Sequence, residues 1–193
     1  MFFLEKYNIL LASKSPRRHD LLKGMGIRFS VPELIETEEN YPENLQAGEI
    51  TDFLAKLKAN PYLNTLSAND ILITSDTIVW QDNKVLLKPG NFNEAVKMLQ
   101  KLSGNYHEVY TGICLSSKHK QEVFSVKTKV KFAQLTNEEI DYYVTKYKPY
   151  DKAGSYGIQE WIGYIGIESI SGSYFNVMGL PTQALYKHLK SFV

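Results

Sequence analysis

Residues 70–80 read Asp-Ile-Leu-Ile-Thr-Ser-Asp-Thr-Ile-Val-Trp, and this stretch decides the fold class. Its apolar and β-branched side chains are typical of a buried β-strand. A helical pattern precedes it over residues 49–59, and a second helix, capped by Asn93, follows it. Helices on both sides of a buried strand predict an α/β protein. The hairpin signal Asp82-Asn83 predicts that the sheet is mixed rather than purely parallel.

The rest of the chain continues this alternation of strands and helices. Strands are predicted over residues 8–12, 27–32, 84–88, 106–116 and 122–133, and helices begin at Pro16, after the cap signal at Thr136 and at Pro181. The glycine-rich stretch 154–179 carries no predicted element. Because no linker of disordered composition interrupts the chain, residues 1–193 are expected to form one domain, with two lobes allowed.

Composition and charge exclude several classes of protein. The chain has 193 residues, 44% of them hydrophobic and 22% charged, which is a globular balance that needs no disulfide or zinc ion to fold. Its 22 basic and 21 acidic residues argue against a partner that is nucleic acid or a membrane surface. No apolar run is long enough to span a membrane, and the amino terminus lacks a signal-peptide pattern. These features predict a cytoplasmic protein.

The same composition restricts the metals that the chain can bind. Cys114 is the only cysteine, which excludes an intramolecular disulfide and a cysteine-built zinc site. The four histidines show neither His-x-His nor HExxH spacing: they are His19, His107, His119 and His188. A bound metal would therefore use oxygen ligands.

A basic turn follows the first predicted strand. Residues 12–18 read Ala-Ser-Lys-Ser-Pro-Arg-Arg and contain two of the three arginines of the chain. A helix that begins after a strand presents unpaired N–H groups and the positive end of its dipole, which suit a phosphate. The hydroxyl of Ser13 and the guanidinium groups of Arg17 and Arg18 add hydrogen-bond donors there. We interpret the turn as a phosphate site, and the alternative is a structural turn with a solvated arginine pair.

Asp76 is the second candidate, because it lies within an apolar strand. A carboxylate in such a position is costly unless it is paired or bound to a metal. It could act as a general base, a metal ligand or both, and the alternative is an aspartate that caps a strand end. Three further candidates are weaker, because each taken singly is as consistent with a solvated side chain as with a functional one: Lys58, Lys88 and Glu36. Together with Asp76 and the basic turn, they provide carboxylates for a divalent ion and positive charges for a polyphosphate.

These motifs, in this order, resemble the Maf family of nucleoside triphosphate pyrophosphatases. The resemblance runs from about residue 8 to residue 190 and is carried by residues 12–18 with Leu21-Leu22, 75–79, Lys88-Pro89, 102–104, Thr111-Gly112, 151–159 and 176–181. It implies a mixed β-sheet flanked by helices, similar to inosine triphosphatases, with a cleft between two lobes. It also implies hydrolysis of a nucleoside triphosphate to the monophosphate and pyrophosphate with Mg²⁺ or Mn²⁺, and it admits a homodimer.

The resemblance assigns roles to single residues. It implies that Asp76 is the proton acceptor and that Arg17, Thr77 and Gln159 take part in substrate choice. The Tyr-Gly-Ile-Gln form of residues 156–159 is similar to the branch that acts on dTTP and UTP. The chain departs from the family pattern at Glu160-Trp161, where small residues are usual, and at Thr182, where an aliphatic residue is common.

The resulting hypothesis is that Asp76 and Glu36 hold the metal while water attacks the α-phosphorus. In it Ser13, Arg18, Lys58 and Lys88 bind the phosphates. One alternative keeps this chemistry but acts on modified nucleotides to clean the nucleotide pool. The other is a non-catalytic regulator, linked to septum formation, that binds nucleotide or nucleic acid through the basic turn.

Overall fold

The structure, a computed structural model, describes residues 2–193. Its strands are β1 (Asn8–Leu11), β2 (Asp70–Gln81), β3 (Lys84–Leu86), β4 (Tyr106–Ser116), β5 (Gln121–Phe132) and β6 (Ile167–Ser171). Its helices are α1 (Pro16–Gly24), α2 (Gly48–Ala59), α3 (Phe92–Leu102), α4 (Asn137–Tyr147), α5 (Trp161–Gly166), α6 (Tyr174–Met178) and α7 (Thr182–Phe192). Short 3₁₀ turns lie at Phe2–Leu4, Asn60–Thr65 and Ala153–Ser155.

The strands form one mixed sheet in the order β1-β2-β4-β5-β6, with β3 also paired to β2. β1 runs parallel to β2, with Asn8 opposite Asp70, and the crossover between them carries α1 and α2. β3 is antiparallel to β2, and β6 is antiparallel to β5. The predicted α/β class with a mixed sheet is therefore confirmed.

Most predicted elements are present close to their predicted bounds, and the strand predicted at 27–32 is wrong. That segment contributes only a single bridge, between Ser30 and Leu10. The cap of α3 is Asn91 rather than Asn93, since the Asn91 side chain accepts from the Glu94 N–H. The glycine-rich stretch contains α5, β6 and α6, which are too short and too weakly patterned for a periodicity argument.

The chain divides into two compact units, and β2, β4 and β5 each supply residues to both. The first comprises the residues up to Asp76, Thr111–Val126 and Gly179–Val193; the second comprises Thr77–Tyr110 and Lys127–Met178. One buried cluster of the first unit contains Ala55, Ala59, Tyr62, Leu66, Leu72 and Cys114. The larger cluster of the second unit includes Leu99, Phe132, Tyr143, Tyr156 and Ile162.

In the first unit, α2 packs directly on the backbone of β4. A Cβ atom at Gly112 would lie 2.4 Å from the carbonyl oxygen of Thr51, so only glycine permits this approach. The Thr74 hydroxyl of β2 donates to the carbonyl of Ala55 at 2.6 Å. These two contacts hold α2 on the sheet and determine the position of Lys58 in its last turn.

His107 lies in the core of the second unit and is 2% exposed. Its Nε2 lies 2.7 Å from the hydroxyl of Tyr156, and its ring centroid is 5.4 Å from that of Phe132. Burial lowers the pKa of His107 to about 4, because the charged imidazolium loses its hydration there.

We expect His107 to make the protein acid-sensitive between pH 6.5 and pH 4. The unfolded chain takes up a proton near pH 6.5 and the folded chain only near pH 4, so stability falls as the pH is lowered through this window, by about 3 kcal/mol in total. Chemical denaturation at pH 7 and at pH 4.5 measures the loss. It should shrink in His107→Gln but not in His119→Gln, which changes an exposed turn. Equal losses in both variants would contradict the assignment, as would an NMR titration that gives His107 an ordinary pKa.

Across residues 2–193, none of the helices combines the length and the apolar character that a membrane span requires.

Candidate active site

The basic turn follows β1 and is fixed by main-chain contacts. The Ala12 N–H donates to the carbonyl of Ile73 at 3.1 Å, which holds the turn beside β2. The Ser15 N–H donates to the hydroxyl oxygen of Ser13 at 3.2 Å, and His19 Nε2 lies 2.7 Å from the Ser13 carbonyl. Helix α1 begins at Pro16, as predicted, and the side chain of Ser15 before it makes no capping bond. The turn thus presents the start of α1 and a buried Ser13 in a defined geometry.

Arg18 ties α1 to two other segments. Its Nε donates to the carbonyl of Gly179 and its Nη1 to the carbonyl of Ser75, both at 2.8 Å. Burial lowers the pKa of Arg18 and the nearby Asp76 carboxylate opposes that shift, but a guanidinium stays charged in proteins. The phosphate role predicted for Arg18 is therefore combined with a structural one, because two of its five donors bind main-chain carbonyls. Arg17, beside it in the first turn of α1, is half-buried.

Asp76 lies at the centre of a charged cluster. It is 8% exposed, and its Oδ1 lies 2.5 Å from the Nζ of Lys58. The same ammonium lies 2.9 Å from Oε1 of Glu39. Two carboxylates thus share one cation, which offsets the cost of holding Asp76 away from water. Lys58 and Asp76 were predicted to belong to one site, and in the structure they form an ion pair.

Glu36, the second metal ligand of the sequence hypothesis, makes a different contact. It pairs with Lys14 at 2.8 Å, and the two side chains are 86% and 68% exposed. The hydrogen bond from Lys14 lowers the pKa of Glu36. Glu39, not Glu36, is therefore the glutamate that the structure brings to the Lys58–Asp76 pair. Sequence reasoning missed it because residues 31–42 have no regular structure and hence no period that predicts orientation.

The Asp76–Glu39 pair suits a hard divalent cation in its chemistry. Both groups are carboxylates that already face a shared positive charge, that of Lys58. Among residues 2–193, no group of three or more His, Cys, Asp or Glu side chains could hold a metal by itself. Mg²⁺ is commonly bound by one or two carboxylates together with substrate phosphates, and that mode requires no larger protein cage. The residues present therefore fit a metal that binds with a polyphosphate.

The remaining candidates belong to the second unit. Thr77 follows Asp76 directly in β2 and is half-buried, and Lys88 is exposed after β3. The carbonyl of Leu87, beside Lys88, accepts from the Gly154 N–H at 3.3 Å. This bond attaches the Lys88 segment to the turn that leads toward Gln159.

Gln159 carries an unsatisfied group. Its side chain is half-buried, and its Oε1 is shielded from water without a hydrogen-bond partner. An amide oxygen left in this state costs roughly 1–3 kcal/mol, which a ligand donor would recover. The terminal bond of a glutamine side chain rotates easily, so the amide can turn to meet such a donor. The Oε1 of Gln159 can thus accept a hydrogen bond from a ligand donor once the amide rotates.

Comparison with known proteins gives one consistent result. Residues 8–192 match the family profile described as Maf-like protein. A protein named dTTP/UTP pyrophosphatase from Phocaeicola vulgatus is 57% identical over 187 residues, which cover 97% of each chain. A protein of the same name from Parabacteroides distasonis is 53% identical over 189 residues and 98% of each chain.

Among solved structures, the Staphylococcus aureus Ham1 protein matches with a TM-score of 0.56 at 16% identity. The match covers 96% of this chain and 100% of that one. At this identity the likeness concerns the fold alone, and it agrees with the predicted mixed sheet flanked by helices.

Proposed function

Because the chain belongs to the Maf family, we propose that it hydrolyses dTTP and UTP to the nucleoside monophosphate and pyrophosphate. The observation that carries this proposal is the buried Asp76 held by Lys58 beside the basic turn. Strongly similar proteins named dTTP/UTP pyrophosphatase support the choice of substrate.

The triphosphate is proposed to bind at the positively charged groups. Ser13 and the start of α1 offer hydrogen-bond donors, and Arg17 and Arg18 add positive charge. Lys58 and Lys88 are proposed to bind phosphate oxygens as charge moves to the leaving pyrophosphate. Catalysis of this kind depends on positioning and electrostatic stabilisation rather than on a covalent intermediate.

Asp76 is proposed to accept the proton of the attacking water. The water oxygen forms a bond to the α-phosphorus, the bond from that phosphorus to the bridging oxygen breaks, and pyrophosphate leaves with the electron pair. The Lys58 ammonium, 2.5 Å from Oδ1, holds the carboxylate in place, and Oδ2 is the oxygen proposed to take the proton.

Asp76 and Glu39 are the residues that would hold Mg²⁺ or Mn²⁺, in place of the Asp76–Glu36 pair of the sequence hypothesis. Such an ion supplies neutralisation of the triphosphate charge and a more acidic water. The support from this chain is that Asp76 and Glu39 both contact the ammonium of Lys58. Glu36 instead contacts Lys14 at an exposed position.

Gln159 is proposed to recognise the base, and Thr77, which follows Asp76 in β2, is proposed to take part in substrate choice. Its amide offers a donor and an acceptor, which match the O4 and N3–H edge of thymine and uracil. The unpartnered Oε1 supports this role, because the N3–H would satisfy it. Discrimination by such a pair is strong, since a wrong base leaves the amide unpaired.

One experiment tests the proposed function as a whole. Pyrophosphate release is measured for a panel of canonical and modified nucleotides with Mg²⁺, with Mn²⁺ and with EDTA, in ¹⁸O-labelled water. We expect dTTP and UTP to be preferred, EDTA to abolish release, and the label to appear in the monophosphate. Label in pyrophosphate would contradict attack at the α-phosphorus. Preference for modified pyrimidines would favour pool cleaning, and no turnover would favour a regulator.

Gln159→Ala is expected to lower kcat/KM for dTTP and UTP about tenfold or more, with a smaller loss for purine nucleotides. The reason is the loss of both hydrogen bonds to the pyrimidine edge. Steady-state kinetics on dTTP, UTP and dGTP measures it. Gln183→Ala, an exposed glutamine on α7, is the matched control and should behave as wild type. Equal losses on all three nucleotides would remove Gln159 from base recognition.

We also propose a cytoplasmic location, where these nucleotides are made and consumed. The buried free thiol of Cys114 is compatible with a reducing compartment. The nearly balanced charge supports a small-molecule substrate rather than nucleic acid or a membrane as partner. A homodimer stays an expectation from the family resemblance, and sedimentation in solution would test it.

A further inference from the structure

A buried polar cluster holds the turn that carries Gln159. Tyr143 of α4 is fully buried, and its hydroxyl accepts from the Gly157 N–H at 3.0 Å. The same hydroxyl donates to Oε2 of Glu160. Burial, and then the hydrogen bond to Glu160, raise the pKa of Tyr143, so this hydroxyl keeps its proton. One side chain from α4 therefore contacts the residues two before and one after Gln159.

Lys152 completes the cluster by using the other oxygen of Glu160. Lys152 is 8% exposed, and its Nζ lies 3.1 Å from Oε1 of Glu160 and 2.7 Å from Oδ1 of Asp151. A buried ammonium requires an anion, so the Glu160 carboxylate is held from two directions. The Glu160 cluster thus consists of Tyr143, Lys152 and Glu160.

The cluster acts on Gln159 through the turn itself. The Glu160 N–H donates to the Gly157 carbonyl at 2.9 Å, which closes a turn with Gln159 inside it. A Cβ atom at Gly157 would lie 2.9 Å from Cδ of Glu160 and 3.0 Å from Nε2 of Gln159. The Gln159 amide and the Glu160 carboxylate thus pack against the same glycine, and the position of one restricts the other.

Helix α5 fixes the far side of the same turn. The Gly163 N–H donates to the Glu160 carbonyl at 2.8 Å, and a Cβ atom at Gly163 would overlap the Ile158 carbonyl oxygen. The backbone on both sides of Gln159 is therefore tightly determined. The orientations that the Gln159 side chain can adopt depend on the neighbouring Glu160.

We propose that Glu160, held by Tyr143 and Lys152, is a positioning residue that sets the pyrimidine preference through Gln159. The inference rests on the proposed function and deepens it, because it names a second residue, next to Gln159 in the chain, that governs the choice of base. Without the cluster the main-chain hydrogen bond from Glu160 to Gly157 remains, but the Glu160 side chain is no longer held beside Gln159. The Gln159 amide then samples other orientations, so dTTP binds more weakly while Asp76 is unaffected.

The test compares Tyr143→Phe, Glu160→Ala and Glu160→Gln with wild type. For the first two, the ratio of kcat/KM for dTTP to that for dGTP should fall about tenfold, mainly through a higher KM for dTTP at nearly unchanged kcat. Glu160→Gln retains one acceptor for the Tyr143 hydroxyl and should lose less. Tyr142→Phe removes an exposed hydroxyl of the same helix, which contacts Lys146, and should leave the ratio unchanged.

A double-mutant cycle with Gln159→Ala separates positioning from a general structural role. Because the cluster acts through Gln159, Tyr143→Phe and Glu160→Ala should change the dTTP/dGTP ratio no further in a Gln159→Ala background. An unchanged ratio in either folded single variant, or an equal further fall in the double variants, would overturn the inference. If wild type releases no pyrophosphate from dTTP, the proposed function itself fails. If Tyr143→Phe does not fold, Glu160→Ala decides the result, because its change lies at the partly exposed end of the cluster.

Discussion

Asp76→Asn is expected to lower the turnover of dTTP by about a thousandfold. Asparagine has nearly the same shape but cannot accept the proton of the attacking water, and it offers a weaker metal ligand. The fold should survive, because Lys58 keeps Glu39 as an anionic partner at 2.9 Å. Single-turnover kinetics with saturating Mg²⁺ measures the chemical step directly.

Asp70→Asn provides the matched control for Asp76 on the same strand. The Asp70 carboxylate accepts from the side chain of Asn8 and from the Ser67 N–H at the start of β2, away from the charged cluster. It should retain wild-type turnover. Turnover of Asp76→Asn close to wild type, with an unchanged thermal midpoint, would remove Asp76 from the mechanism.

Glu39→Gln is expected to lower kcat/KM about a hundredfold, whereas Glu36→Gln should change it less than twofold. Both glutamates belong to one acidic run, but Glu39 contacts Lys58 and Glu36 contacts Lys14 at an exposed position. The two variants are therefore matched in chemistry and differ only in location. Titration with Mn²⁺ should also show a higher activating concentration for Glu39→Gln.

The reverse outcome would restore the sequence hypothesis for the metal. If Glu36→Gln loses activity and metal response while Glu39→Gln keeps both, Glu36 is the ligand. A third result, with neither variant affected, would show that Asp76 and the phosphates suffice, so the carboxylate pair would not be the metal site.

Local patterns predicted most of the fold. The run at 70–80 is β2, and the capping box at Thr136, with Glu139 three residues later, begins α4 as predicted. In both cases the signal is contained in adjacent residues, so it survives without knowledge of the rest of the chain. The strand predicted at 27–32 failed because alternating apolar and polar residues form a strand only where a neighbour offers paired hydrogen bonds. Here Ser30 alone finds one.

The candidate site was predicted less completely. Asp76 stood out because a carboxylate in an apolar strand requires a partner, and the structure supplies Lys58. Arg18 was predicted as a phosphate ligand, and nothing local indicated that the carbonyls of Ser75 and Gly179 would also use it. These partners are distant in sequence, and residue type alone does not determine which groups a guanidinium meets.

The sequence by itself determined the alternation of strands and helices, the single costly carboxylate and the basic turn, because composition and period act through neighbouring residues. Only the tertiary structure decided that Glu39 rather than Glu36 joins Lys58, and that Tyr143 and Lys152 hold Glu160 beside Gln159. Both outcomes depend on segments that lack a period, where the direction of each side chain is set by long-range packing and by the need of buried charges for partners.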